Sequence, residues 1–150
     1  MPTPERDDRL REVARGLGLD PAIAHVEGDD LRPLGLWEGA LTANAYLGGL
    51  GIAAALRAGA DVVVTGRVTD ASLVVGPAAS HFGWARDDWD RLAGAVVVGH
   101  LLECGTQATG GNFSGFTNVD MSMPLGFPIA EIVDDGSVVI TKHEGTGGAV

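Results

Sequence analysis

The segment Asp61-Val62-Val63-Val64-Thr65 constrains this chain more than any other. Three consecutive β-branched residues favour a strand, and a continuous apolar run lacks the alternation of a sheet with one wet face. The run follows a long apolar segment closed by Gly59, and Gly66-Arg67-Val68-Thr69-Asp70 comes straight after it. Helix, strand and helix start in that order predict a parallel strand buried on both faces, with ligand-binding potential at its carboxyl end.

The flanking pattern supports an α/β chain. Pro4 to Arg15 has amphipathic helical spacing through Leu10, Val13, Ala14 and Leu17, and Ala22 to Val26 reads as a short strand. Leu41 to Ala58 is apolar nearly all round and predicts a buried helix. Gly48, Gly49 and Gly51 within it are tolerable where another backbone packs close. A helix capped by Thr69 or Asp70 should be broken or kinked at Gly76-Pro77 and stopped at Gly83. Asp87 is positioned to cap a helix from Asp88 to Cys104, whose core stripe would be Trp89, Leu92, Ala93, Val96, Val97, His100, Leu101 and Cys104. Pro128 to Asp134 and Ser137 to His143 flank Asp135-Gly136, a hairpin signal. The expected fold is Rossmann-like or doubly wound: a partly parallel sheet flanked by helices, with a β-hairpin near the C-terminus, incompletely represented in one domain spanning 1–150.

Between Glu103 and Asp120 sixteen residues pass without a charge. The stretch is rich in glycine, threonine and amide side chains. Long loops without periodicity in compact domains are often functional, and glycines let backbone N–H groups approach a ligand. The whole chain carries a net charge of −10, and no Lys or Arg occurs from Leu92 to Thr141. That argues against nucleic acid and against an anionic membrane surface. No apolar run is long enough to span a bilayer. The single cysteine, Cys104, excludes an internal disulfide and a cysteine-rich zinc site, and the charged N-terminus has no signal-peptide core. A cytoplasmic protein is expected.

Four groups of residues are candidates for chemistry. Thr65, Gly66, Arg67, Thr69 and Asp70 combine a strand end, a helix start and a guanidinium fork suited to phosphate or carboxylate; the plainer reading is a capped turn with Arg67 paired to Asp70. His100 and Glu103, one helical turn apart, could act as acid and base or as two metal ligands, against a core histidine. Cys104 beside them lies at a helix C-terminus, which disfavours a thiolate. Gln107, Thr109, Gly110, Gly111, Asn112 and Ser114 of the uncharged loop suit substrate contact, or satisfy the loop's own backbone. His143, Gly145, Thr146, Gly147 and Gly148 suit an anion nest, without the lysine of a P-loop. The acidic turn Glu27, Asp29 and Asp30 could bind a divalent cation, against the commoner reading of a solvated turn, and Asn44 and Tyr46, near the start of the buried helix, are either polar site residues or structural. No metal is expected, and no cofactor is specified.

Ala60 to Leu73, His81-Phe82-Gly83-Trp84, Gly99 to Gly105, Gln107 to Gly115 and Thr141 to Gly148, taken together, resemble the acyclic terpene utilisation (AtuA-like) family, formerly a domain of unknown function. The resemblance is dense from about Gly28 onward. It implies a bacterial cytoplasmic protein in the breakdown of citronellol- or geraniol-like compounds or of branched acyl-CoA intermediates, with a small-molecule substrate such as an acyl-CoA. Family members are longer, so the chain is expected to be an internal piece of their N-terminal domain. The contrasting expectation is a non-catalytic assembly module, a homo-oligomer or a fragment whose apolar helices need the rest of the longer chain.

Overall fold

A computed structural model describes residues 3–112 and 114–150. The chain is α/β and divides into two compact units, residues 1–83 and 84–150.

The first unit contains α1 (Thr3–Gly16), β1 (Ile23–Val26), α2 (Leu50–Arg57), β2 (Val62–Thr65) and α3 (Ser72–Phe82). Strands β1 and β2 pair in parallel, from Ile23 opposite Val62 to Val26 opposite Thr65, with α2 in the crossover between them. This is the βαβ unit expected from the valine run. Its burial differs from expectation. Val62 is exposed and Val63 to Thr65 are only half-buried, because among the described residues β2 pairs with no strand but β1.

The expected helix from Leu41 begins only at Leu50. Gly48-Gly49 disfavours helix, and the preceding residues find backbone partners elsewhere. Leu31 N–H donates to Ala43 O, Ala45 N–H to Asp29 O, Leu47 N–H to Arg67 O and Thr69 N–H to Leu47 O. Residues 43–47 thus cross the carboxyl ends of both strands, stitched to each. Leu41, 91% exposed, lies outside any core.

Glycines bring α2 against its neighbours. A Cβ on Gly49 would come within 2.8 Å of the Gly76 nitrogen, one on Gly76 within 2.7 Å of Ile52 Cβ, and one on Gly51 within 2.7 Å of Val26 Cγ1. Another backbone packs close, as expected, at Gly49, whereas Gly51 meets the Val26 side chain and Gly48 meets nothing within 4 Å. Ile52, Ala53, Ala71, Ala78 and Ala79 are buried around this contact. Pro77 does not divide α3, which runs unbroken from Ser72 to Phe82. The missing proline N–H leaves the Leu73 carbonyl without its helical donor, and Leu73 is solvent-exposed, where water can replace it. Gly83, at φ 69°, ends the helix as expected.

The second unit contains α4 (Trp89–Leu102), β3 (Pro128–Ile132) and β4 (Val138–Lys142). The antiparallel hairpin pairs Pro128 with Lys142 and Ile132 with Val138. Its turn is one residue earlier than Asp135-Gly136 alone suggests: Gly136 N–H donates to Val133 O, placing Asp134-Asp135 at the centre and Gly136 at φ 86°. Asp88, not Asp87, precedes α4, and its carboxylate accepts from the Ala85 N–H rather than capping the helix. The packed face of α4 is Ala95, Val98 and Gly99. The expected core stripe faces outward instead, with Trp89 71% and Val97 57% exposed. The helix is apolar on several sides, and the small residues win the inner face because Gly94 lies against the Gly136 backbone. Trp84, 2% exposed, anchors the unit by donating its indole N–H to Asp134 O at 2.9 Å. Among the described residues no helix is long and apolar enough to cross a membrane.

Gly76→Ala should destabilise the first unit by about 1–3 kcal/mol, the usual cost of overpacking. Urea denaturation followed by circular dichroism measures it. Unchanged stability would mean that α2 and α3 separate freely.

Candidate functional site

The carboxyl ends of β1 and β2 open into a cleft of about 420 Å³ lined by Asp29, Asn44, Thr65, Gly66, Arg67, Val68 and Leu73. Open α/β sheets bind ligands at this end of their strands. Three segments build it: the turn after β1, the crossing segment 43–47 and the turn after β2.

Asp29 holds these segments together. One carboxylate oxygen, Oδ2, accepts from the Arg67 backbone N–H at 2.8 Å and from Asn44 Nδ2 at 2.8 Å. Gly66 makes the approach possible, since a Cβ there would fall inside the Asp29 carboxylate. The pKa of Asp29 is lowered from the ordinary 3.8; the Arg67 N–H is the main cause, burial opposes it and the Asn44 amide adds to it. An aspartate so held stays ionised and is a weak base, suited to binding rather than proton abstraction.

Arg67 projects at the rim, its guanidinium carbon 5.5 Å from the centroid of the Tyr46 ring. A guanidinium over an aromatic face keeps its N–H edges available. Among the described residues no salt bridge joins Arg67 to Asp70. Thr69 Oγ1 lies 2.5 Å from Ser72 Oγ, at the start of α3. The neighbouring Asp30 is engaged with Arg32 through Nε and Nη2, which holds its pKa down to about 2. Among the described residues no cluster of three His, Cys, Asp or Glu side chains could hold a metal ion. Asp29 was legible only as part of an acidic turn; nothing in its spacing showed that it reaches the second strand's exit.

The other candidate residues lie in the second unit. His100 and Glu103 are exposed; His100 Nδ1 lies 3.0 Å from Val96 O, and the Glu103 carboxylate accepts from Cys104 Sγ. In the uncharged loop Thr109 is 1% exposed and donates its hydroxyl to Gly126 O at 2.7 Å. Gly110 and Gly111 donate their N–H groups to Gln107 O and Thr106 O. Gln107, Asn112 and Ser114 are exposed, and Phe113 lies outside the described residues. The last segment packs on this loop: Ala149 N–H donates to Thr109 O. A hollow of about 330 Å³ is lined by Gln107, Ala108, Thr109, Gly110, Val119, Ala149 and Val150.

The Gly145–Gly148 backbone is similarly taken up. Gly147 N–H donates to Pro124 O and Gly148 N–H to Asp120 O, so neither is presented to an anion. Lys142 Nζ donates to Thr146 O at 2.8 Å and lies 3.3 Å from Thr146 Oγ1, whose hydroxyl donates to His143 O. His143 and Gly145 are exposed.

A parallel β-α-β unit with a polar cleft at its strand ends, followed by an antiparallel hairpin, places the chain in the α/β class. The chain belongs to the acyclic terpene utilisation family, AtuA, whose family model matches residues 3–150. No curated protein and no solved structure gives a significant match.

The Asp29 clamp has a definite pH dependence. Its folded pKa is depressed, so its contribution is complete above about 3.8 and is lost as pH falls through the folded value. Asp29→Asn should therefore be less stable than wild type at pH 7 and lose less further stability on going to pH 3. Urea melts at the two pH values measure both quantities. Equal losses in the two proteins would show that the clamp does not hold the cleft.

Proposed function

We propose that this AtuA-family chain takes part in the catabolism of acyclic terpenoid or branched acyl compounds, in the bacterial cytoplasm, by binding an anionic acyl or phosphate-bearing ligand. The observation that carries the reading is the cleft at the ends of the parallel strands, with Arg67 on its rim and no carboxylate in salt-bridge reach among the described residues. In a chain of net charge −10 a guanidinium held this way is a local exception, and it matches a carboxylate or phosphate. Thr65 and Asn44 add neutral polar groups beside it. Gln107, Asn112 and Ser114 are exposed polar groups of the second unit, available to a ligand there. His100 and Glu103 are its candidates for proton handling.

Arg67→Ala should weaken binding of an anionic ligand by about 1.5–3 kcal/mol, the range of a charged hydrogen bond, and barely alter stability. Calorimetric titration with acyl-CoA thioesters and the corresponding free acids measures it. Equal affinities would place the anion elsewhere.

A second reading, an assembly module, is favoured by the outward face of α4, where Trp89, Val96, Val97 and Leu101 are all exposed. Exposed apolar surface of this kind commonly marks an interface. Under that reading Val97→Asp would turn a self-associated wild type into a monomer in sedimentation velocity. A wild type that is already monomeric at micromolar concentration would argue against it.

A further inference from the structure

The anion reading leaves one part of the cleft unexplained. Asp29 Oδ2 receives two donors, Arg67 N–H and Asn44 Nδ2. No hydrogen bond from another of the described residues reaches Oδ1, although Asp29 lines the cleft. Oδ1 lies against Gly66, in the space that a Cβ there would occupy. The carboxylate cannot turn away to solvent without giving up both bonds to Oδ2.

We infer that the cleft recognises an acid that also carries a hydrogen-bond donor, a hydroxyl or an ammonium, with Arg67 taking the anion and Asp29 Oδ1 accepting from the donor. This rests on the anion reading proposed above and narrows it. An ionised carboxylate is an acceptor only, so the ligand atom opposite must donate. Water can fill that role when no ligand is bound. A ligand that displaces the water and offers only carbon leaves a charged acceptor unpaired, which disfavours plain alkyl acids. The two nearby groups also divide the work by charge. Arg67 attracts the acid end, whereas Asp29 repels it, so a bound acid has a defined direction. Asn44, which also lines the cleft, is held by its bond to Oδ2.

The test compares hexanoate, 3-hydroxyhexanoate and 3-aminohexanoate by calorimetric titration of the full chain. Wild type should prefer at least one of the two substituted acids over hexanoate by about tenfold or more, the scale of a charged hydrogen bond. The better of the two identifies the donor as hydroxyl or ammonium. Asp29→Asn should abolish that preference, and Arg67→Ala should weaken all three acids alike. If hexanoate binds wild type as tightly as both substituted acids, yet Arg67→Ala still weakens binding, the present inference is overturned and the anion reading stands. A preference that Asp29→Asn removes, in acids indifferent to Arg67→Ala, keeps the Asp29 contact and overturns the anion reading. No binding by any of the three overturns both. The wild-type comparison needs no variant, so a poorly folded Asp29→Asn protein does not remove the test, and thermal melts of each variant identify that case.

Discussion

The first unit depends on close approaches that only residues without a side chain permit. Gly49, Gly51 and Gly76 let α2 lie against α3 and β1 more closely than any residue with a Cβ permits. Dispersion falls steeply with separation, so this closeness lets a core built largely of alanines, with Ile52, pack at all. Large side chains supply most of the apolar area in an ordinary core. Here they sit mainly elsewhere: Leu34, Leu36, Leu41 and Tyr46 are exposed. Gly49, with Gly48 before it, also delays the start of α2, and residues 43–47 become the strip that ties the two strand exits together. Helix packing and cleft geometry thus share a cause.

The cleft extends that economy of atoms. Asp29, a short side chain, links the turn after β1, the crossing strip and the turn after β2 through a single oxygen atom. Its counterpart in the second unit is Thr109, a buried hydroxyl that ties the uncharged loop to Gly126. In each case a polar side chain satisfies backbone groups that no regular element reaches. Polarity in the uncharged loop therefore serves two purposes: Thr109 and the Gly110 and Gly111 amides hold the loop, while Gln107, Asn112 and Ser114 face solvent.

Element identity was legible in the sequence wherever local chemistry decides it. The valine run, the Pro4-to-Arg15 periodicity, Gly83 and the hairpin all stand where their residues indicate. What local chemistry does not contain is partner geometry. Leu41 to Ala58 reads as one apolar helix because periodicity cannot show that residues 43–47 have backbone partners far away in sequence. The face of α4 was misassigned for a related reason: a helix apolar on several sides offers more than one stripe, and the choice falls to what lies opposite, here the Gly136 backbone. At the site, Arg67 was visible from its position after a strand. Asp29 was not, because its role comes from a contact 38 residues away in sequence.

Lysine usage carries a chemical consequence. The sequence has nine arginines and a single lysine, Lys142, and that lysine is a half-buried strut holding the Thr146 carbonyl. An ammonium engaged this way must lose both a proton and a structural bond before it can act as a nucleophile. Guanidinium groups do not deprotonate in proteins and form no Schiff bases under ordinary conditions. The side chains of this protein therefore present aldehydes and thioesters with almost no amine to modify. Its guanidinium groups would be neither acylated by a thioester nor condensed with a simple aldehyde as the amines of a lysine-rich surface would.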